Sequence, residues 1–335
     1  MIGRTHRFQL QAAPFLHTSL TTPKLMVEVT LTLVPVIAAA AYYFGVVALL
    51  LIAASTLGAV AAEYLLPTRA PRGSTLRDGS GVLTGVLVGL TLPPPLPLWM
   101  AALGGFVAIA LGKQLFGGLG QNLFNPALVG RAFLQAAFPT ALTTWVEPRG
   151  FFDVPNSTWA WPFLHGALDG TSAPTPLSRV KFDHALTPFQ DLFLGHVPGS
   201  LGETSALVLV LCGLWLGLRR AFDWRIPCAV LLGVAALSSL LHLLDPTRNP
   251  TPWFMLASGG LLFGTVFMAT DPVSSPTTPR GAWIFGLGVG VLVVVIRDYG
   301  GLPEGVMYAI LLMNAATPLI ERVAQPRPFG RARRA

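Results

Sequence analysis

Long apolar runs recur along this chain between residues 25 and 320, and they constrain its fold more than any other feature. A run of about 18 apolar residues is enough for a helix to cross the roughly 30 Å hydrocarbon core of a bilayer. Charged residues make up only 11% of the chain, which leaves little material for a soluble surface. The sequence therefore predicts an all-α integral membrane protein with about ten transmembrane helices. Their predicted positions are residues 25–44, 46–66, 81–92, 96–115, 125–141, 203–218, 226–243, 253–270, 281–297 and 303–320.

The distribution of Lys and Arg predicts the sidedness of these helices, because cytoplasmic segments carry an excess of basic residues. With the amino terminus inside, 16 of the 22 basic residues fall in cytoplasmic segments. These are Arg4, Arg7, Lys24, Arg69, Arg72, Arg77, Lys113, Arg219, Arg220, Arg225, Arg280, Arg322, Arg327, Arg331, Arg333 and Arg334. We therefore expect both termini in the cytoplasm, as a segment 1–24 and a basic tail 321–335. The net charge of +7 then reflects topology rather than binding of nucleic acid.

Two segments repeat one pattern at the third predicted helix of each half, SGVLTGVLVGLTLP (80–93) and GGLLFGTVFMATDP (259–272). The matching residues are Gly81, Gly85, Thr91 and Pro93 in the first copy and Gly260, Gly264, Thr270 and Pro272 in the second. A unit of five helices crosses the membrane an odd number of times, so its second copy must be inverted. We therefore predict two inverted five-helix repeats, residues 25–141 and 203–320, with broken third helices. Close helix packing explains the glycines equally well, but not the shared Thr-x-Pro ending.

The segment 142–202 is the one large piece predicted outside the membrane, on the outer side, and it contains DGTSAPTPL (169–177). Asp169, Ser172 and Thr175 stand at offsets of zero, three and six. This spacing resembles the flavinylation motif Asp-x-x-Ser/Thr-Gly-Ala-Ser/Thr, in which a transferase uses FAD to attach FMN to the last hydroxyl. Ala173 and Pro174 stand here where the motif has Gly and Ala. The resemblance implies covalent FMN on Thr175, and a proline-bounded polar turn predicts an exposed hydroxyl.

Segments along nearly the whole chain are similar to the NqrB/RnfD family. They are DGSGVLTGVLVGLTLPPPLP (78–97), GQNLFNPALVGRAF (120–133), PGSLGETSA (198–206), FMATDPVSSPTTPRG (267–281) and EGVMYAILLMNAATPLI (304–320). The chain resembles the RnfD branch of the family more than the longer NqrB branch. The resemblance implies an electron-transfer subunit of an Rnf complex, which couples electron transfer between ferredoxin and NAD to movement of Na⁺ or H⁺.

The same resemblance implies several partners and cofactors. The cofactors are covalent FMN and a second, non-covalent flavin (riboflavin). The partners are a second FMN-bearing subunit, iron–sulfur subunits and a flavin transferase. The implied location is the bacterial inner membrane. Three alternatives remain open at this stage. The chain could be an NqrB-like component of a Na⁺-translocating NADH:quinone oxidoreductase, a non-redox channel or transporter with inverted repeats, or a scaffold without flavin, since fold alone does not determine function.

Charged residues at membrane depth are costly to bury and are therefore functional candidates. Arg131 is expected either to face the FMN or to pair with a carboxylate such as Glu203. Glu203, Asp271 and Glu304 are candidates for ion coupling. Glu203 could equally cap a helix, and Asp271 could equally end one before Pro272.

The sequence predicts neither a metal site nor a catalytic side chain. Cys212 and Cys228 are the only cysteines, which excludes a four-thiolate cluster built by this chain alone. We expect both to be small apolar residues in helices, with a disulfide as the alternative. The six histidines show no metal-ligand spacing.

Overall fold

The computed structural model describes residues 21–66, 75–148, 150–162, 173–246 and 249–325. Within these ranges the regular structure is helical and contains no β-strand. Asp169 and Ser172 lie outside the described residues, as do most of the segment 1–24 and most of the basic tail.

The α-helices follow one another in chain order, with short 3₁₀ and π turns between some of them. They are α1 Thr22–Thr32, α2 Val34–Phe44, α3 Val46–Leu65, α4 Ser80–Leu90, α5 Leu98–Ile109, α6 Pro126–Ala137, α7 Pro139–Thr143, α8 Pro176–Ser178, α9 Phe189–Leu194, α10 Ala206–Leu218, α11 Arg225–Leu244, α12 Pro252–Ala257, α13 Leu261–Phe263, α14 Pro279–Tyr299 and α15 Val306–Ala324. Each of the ten predicted segments contains helix. Cys212 and Cys228 lie in α10 and α11, and both are free.

Five helical stretches of the described residues are long and apolar enough to cross a membrane. They are Thr22–Phe44, Val46–Leu65, Arg225–Leu244, Pro279–Tyr299 and Val306–Ala324. Shorter apolar helices accompany them at Ser80–Leu90, Leu98–Gln114 and Ala206–Leu218. Many aliphatic side chains face outward, such as Leu57, Leu243 and Val323. A lipid environment suits such a surface, and the chain is accordingly an all-α integral membrane protein.

Proline and glycine interrupt three of the predicted helices. Pro35 follows the break between α1 and α2, and Pro139 follows the break between α6 and α7. A proline cannot donate the backbone hydrogen bond that would continue the preceding helix. The predicted helix 253–270 is divided at Ser258 and at Gly259, whose φ of +63° favours glycine.

The two halves of the chain pack in the same pattern. α3 packs against α4 and α5, and α5 packs against α6. In the second half, α11 packs against α12 and α14, and α14 packs against α15. The halves meet where α1 contacts α10 and where α6 contacts α15.

The two copies of the repeated pattern also end alike. The Thr91 hydroxyl donates to the carbonyl oxygen of Val88 at 2.7 Å, and the Thr270 hydroxyl donates to that of Val266 at 2.6 Å. Each threonine hydroxyl thus binds a carbonyl of the last helical turn, three or four residues before it.

Candidate functional site

The start of α6 determines where Arg131 lies. The Asn125 side chain accepts hydrogen bonds from the backbone N–H groups of Ala127 at 3.0 Å and Leu128 at 3.4 Å. Pro126 occupies the first helical turn, where its missing N–H costs nothing. Arg131 follows in the next turn on the buried face of the helix, with only 8% of its surface exposed.

Arg131 joins the end of the first short helix to two carboxylates. Its guanidinium donates to the backbone carbonyl of Thr91, to Ser200 Oγ at 3.3 Å and to Glu304 Oε2 at 3.2 Å. Glu203 Oε1 lies 3.8 Å from the same guanidinium. Of the two roles expected from the sequence, pairing with carboxylates is the one that these contacts describe, and Glu304 is the nearer partner. We call Arg131, Glu203 and Glu304 the first charge cluster.

The break in the second copy of the repeat lies beside this first charge cluster. The guanidinium of Arg297 donates to the backbone carbonyls of Met255 at 2.7 Å and Ser258 at 2.9 Å, which stabilises the chain where α12 ends. A Cβ atom at Gly260 would lie 2.5 Å from Glu203 Oε1. Only glycine therefore allows the Glu203 carboxylate to approach this turn.

Thr175 is the residue predicted to carry FMN, and it is buried with 3% of its surface exposed. This differs from the exposed hydroxyl that the turn-like sequence predicted. Its Oγ1 accepts a hydrogen bond from the Ser178 backbone N–H at 3.3 Å and lies 3.0 Å from Ser178 Oγ. A narrow cavity of about 10 Å³ links Thr175 to Glu203 and Glu304. The fold thus brings three of the predicted site residues together, although 28 and 129 positions separate Thr175 from the two glutamates in sequence.

A second cavity, of about 70 Å³, is lined by the same two carboxylates. Thr91 and Arg131 line it from the first half of the chain, and Gly260 and Glu304 line it from the second. Glu203 and Glu304 line both cavities, whereas Arg131 lines only the larger one. Arg131 therefore affects the electrostatics of the Thr175 cavity through the two carboxylates with which it pairs.

Lys181 holds the segment that follows Thr175 against the end of α14. Its ammonium donates to the backbone carbonyls of Arg297 at 2.8 Å and Gly300 at 2.5 Å. A cation is favourable at a helix carboxyl terminus, where the last carbonyls lack intrahelical partners. Burial lowers the pKa of the Lys181 ammonium, and the charge of Asp298 opposes this by raising it.

Another group of charges lies at the opposite end of α4. Lys113 Nζ donates to Glu63 Oε1 at 2.5 Å and to Ser80 Oγ at 2.5 Å, and Asp78 Oδ2 lies 3.9 Å away. The side chains of Lys113 and Glu63 are 1% and 0% exposed. We call Lys113, Glu63 and Asp78 the second charge cluster. Because α4 has 11 residues, the two clusters are about 16 Å apart along its axis.

Asp271 lies beside this second charge cluster and away from Thr175. Lys113, Asn122 and Asp271 line a cavity of about 80 Å³ together with Ser80. Asp271 accepts hydrogen bonds from the Val273 backbone N–H at 3.4 Å and from Ser274 Oγ at 2.9 Å. The carboxylate thus caps the turn that follows the second short helix.

Sequence reasoning did not single out Glu63, Lys113 or Arg297 as site residues. A signal was present in the sequence, because Glu63 and Arg297 are ionisable residues within apolar runs. Charges inside spans are expected to pair with one another or with backbone carbonyls, as these three do.

Replacement of Arg131 by glutamine is expected to destabilise the protein by about 3 kcal/mol, because removal of one partner leaves buried charge uncompensated. Arg131→Lys keeps the charge and should cost less. The midpoint of thermal unfolding in detergent measures both effects. Combining Arg131→Gln with Glu304→Gln should recover part of the loss. A midpoint for Arg131→Gln equal to that of the wild type would contradict the structural role of the first charge cluster.

Buried, paired charges beside short, broken helices are a feature of membrane proteins that move charged species. The sequence comparison agrees with this class. The chain matches the NQR2, RnfD, RnfE family over residues 9–330, and it belongs to that family.

Relatives with similar sequences cover nearly the full length of the chain. One is the D subunit of an ion-translocating oxidoreductase complex from Stutzerimonas stutzeri, which is 44% identical over 92% of this chain and 92% of its own length. A protein of the same description from Halorhodospira halophila is 40% identical over 97% and 96% of the two chains. The D subunit of a proton-translocating ferredoxin:NAD(+) oxidoreductase complex from Clostridium ljungdahlii is 38% identical over 97% of each.

Proposed function

We propose that this chain is the membrane flavoprotein subunit of an Rnf-type ion-translocating oxidoreductase complex. In this role it carries FMN on Thr175 and passes electrons between ferredoxin-side and NAD-side partners. Family membership supports the assignment to such a complex. The single observation that supports the site is the cavity shared by Thr175, Glu203 and Glu304, because two carboxylates then line the same cavity as the proposed point of flavin attachment.

The residues around Thr175 fit an attached flavin in their chemistry but leave little room for it. A threonine hydroxyl can form a phosphoester, and the Ser178 N–H and hydroxyl next to it can donate to phosphate oxygens. The adjoining cavity of about 10 Å³ is much smaller than a flavin ring system. We therefore infer that a flavin transferase reaches Thr175 before the surrounding chain packs over it. When bound, FMN would supply the redox chemistry, and the protein would supply its anchoring and electrostatic environment.

Glu203 and Glu304 are the residues we propose for coupling electron transfer to ion movement. Both line the Thr175 cavity, and both pair with the same arginine. A change of charge on a nearby flavin would alter how strongly these carboxylates attract a cation, since such interactions are weakly screened in a buried site. Asp271 is the third candidate, and its position at the opposite end of α4 would make it part of a separate step.

The arrangement of the two short helices supports the proposed inverted repeats. Gly260, at the start of the second copy, lines the same cavity as Thr91, at the end of the first. Thr270, at the end of the second copy, lines the same cavity as Ser80, at the start of the first. The two copies therefore run past each other in opposite directions, as an inverted repeat requires.

A second, non-covalent flavin, riboflavin, is also part of the proposal. The cavity that Lys113 and Asn122 line offers polar groups for the edge of a flavin ring, and the buried Asn122 Oδ1 has no hydrogen-bond partner within the described residues. Its volume of about 80 Å³ is too small for the ring system, so occupancy requires the helices around it to separate. Carriers at both ends of α4 would divide electron transfer across the membrane into two steps.

The proposed location is the bacterial inner membrane, with both termini in the cytoplasm. The excess of basic residues in the predicted cytoplasmic segments supports this orientation. The proposed partners are the other membrane and peripheral subunits of the complex, including a second FMN-bearing subunit and iron–sulfur subunits.

Co-expression with a flavin transferase tests the proposal. The denatured wild-type band should fluoresce under ultraviolet light, and its intact mass should exceed that of the polypeptide by one FMN phosphoester. Peptide mapping should locate this mass on the peptide that contains Thr175. A dark band of bare polypeptide mass, in cells where the transferase modifies another substrate, would instead favour a scaffold or a channel.

A further inference from the structure

An apolar groove of about 1010 Å³ lies between α1 and α10 on the outside of the bundle. Val27 and Leu31 line it from α1, and Val208 and Leu211 line it from α10. Three of these residues are more than half exposed, namely Val27 at 53%, Leu31 at 64% and Leu211 at 57%. Water would be an unfavourable neighbour for such a surface, so the groove calls for an apolar occupant.

One end of this groove carries charge. Lys24 and Arg219 line it there, together with Glu28 and Trp215. Arg219 Nε donates to Glu28 Oε1 at 2.5 Å, and its guanidinium lies 5.9 Å from the centre of the Trp215 ring. The Arg219 side chain is 57% exposed, and Nε is its bonding atom, so its two terminal amino groups can still donate. The lining of this end therefore holds two basic side chains and one acidic one.

We propose that the groove between α1 and α10 binds an anionic phospholipid. The acyl chains occupy the apolar part, and the phosphate lies between Lys24 and Arg219. Basic pockets between helices on the cytoplasmic side bind anionic head groups, and Trp and Arg are typical residues of the membrane interface. The predicted topology assigns Lys24 and Arg219 to that side, where anionic lipids are abundant.

A lipid fits the groove better than a helix from a partner protein does, because a lipid combines apolar chains with a charged head group. The charged end also gives a lipid head group a favourable partner that an apolar helix would lack. Because α1 and α10 belong to different halves of the chain, the lipid would bridge the two proposed repeats.

Native mass spectrometry of the purified chain tests this proposal, with phosphatidylglycerol and phosphatidylcholine of identical acyl chains as the two ligands. The wild type is expected to bind phosphatidylglycerol about 25-fold more tightly than phosphatidylcholine. Lys24→Gln with Arg219→Gln should weaken phosphatidylglycerol binding about 25-fold, or about five-fold for each basic residue removed, and leave phosphatidylcholine binding unchanged.

Three further variants separate the charge from the groove and from the fold. Glu28→Gln removes the opposing carboxylate and should therefore strengthen phosphatidylglycerol binding. A gain in affinity of this kind cannot result from a loss of structure. Leu31→Trp fills the groove and should weaken both lipids. Arg225→Gln removes a basic residue that lies outside the groove and pairs with Asp223, so it should change neither affinity.

Equal affinity for the two lipids, or unchanged phosphatidylglycerol binding by the double variant, would overturn the proposal. The assembled complex provides a second test, which distinguishes a lipid from a partner protein in the groove. In membrane vesicles that contain it, phosphatidylglycerol with a photoreactive acyl chain should label α1 and α10 of the wild type and label Leu31→Trp much less. Protection of both helices by a partner protein would show that a polypeptide, and not a lipid, occupies the groove.

Discussion

Thr175→Val will leave the chain without covalent flavin, whereas Ser178→Ala will keep it. Valine preserves the branched shape of threonine at this buried position and removes only the hydroxyl. Ser178 is the matched control, because its hydroxyl lies 3.0 Å from that of Thr175 and is an alternative acceptor beside it. In-gel fluorescence and intact mass, measured after co-expression with the transferase, will give the result.

Loss of the helix cap should not confuse this comparison. The Thr175 side chain caps a helix of only three residues, and loss of such a cap costs about 1 kcal/mol, which is too little to unfold the protein. Thr175→Ser restores both the cap and an acceptor, so it should recover part or all of the flavin. A Thr175→Val band that still fluoresces, together with a dark Ser178→Ala band, would move the attachment point to Ser178.

The positions of the helices could be predicted from the apolar runs, because helix formation in a membrane depends on length and hydrophobicity along the sequence. The internal breaks could be predicted less well. Pro35 and Pro139 fall inside continuous apolar runs, where a proline can either be tolerated or end the helix. Packing against neighbouring helices decides between these outcomes, and a single sequence does not contain that information.

The members of the first charge cluster could be identified from the sequence, but their contacts could not. Arg131, Glu203 and Glu304 each stand out as charges near or inside apolar runs. The hydrogen bond from Arg131 to Glu304 joins residues 173 positions apart. Such a contact depends on how the two halves pack, whereas hydropathy and motif spacing report only on local sequence. The burial of Thr175 is unpredictable for the same reason.

The repeated glycines show how a sequence pattern and a structural contact are related. A Cβ atom at Gly81 would clash with Glu63 Oε2, just as one at the matching Gly260 would lie 2.5 Å from Glu203 Oε1. In each copy, glycine thus allows a buried glutamate to approach the start of the short helix. Close packing therefore accounts for both glycines, and the carboxylates that they accommodate belong to the two charge clusters.

Lys113→Met is expected to destabilise the protein by about 3–5 kcal/mol, because it leaves the fully buried Glu63 carboxylate without its cation. Glu63→Gln should cost less, since Lys113 then keeps Ser80 as a hydrogen-bond acceptor and Asp78 as a counter-charge at 3.9 Å. The double variant should be more stable than the sum of the single losses predicts, by roughly 1–3 kcal/mol of coupling.

The midpoint of thermal unfolding in detergent, measured for the wild type and the three variants, tests these values. Arg225→Met provides the matched control, because the Arg225–Asp223 pair is about one-third exposed and should contribute no more than about 1 kcal/mol. If Lys113→Met and Arg225→Met lowered the midpoint equally, burial would not be what makes the Lys113–Glu63 pair important. If the two single losses simply added in the double variant, Lys113 and Glu63 would not act as a pair. The second charge cluster would then have no role in holding α3 against the π-helical turn Ala110–Gln114 that follows α5.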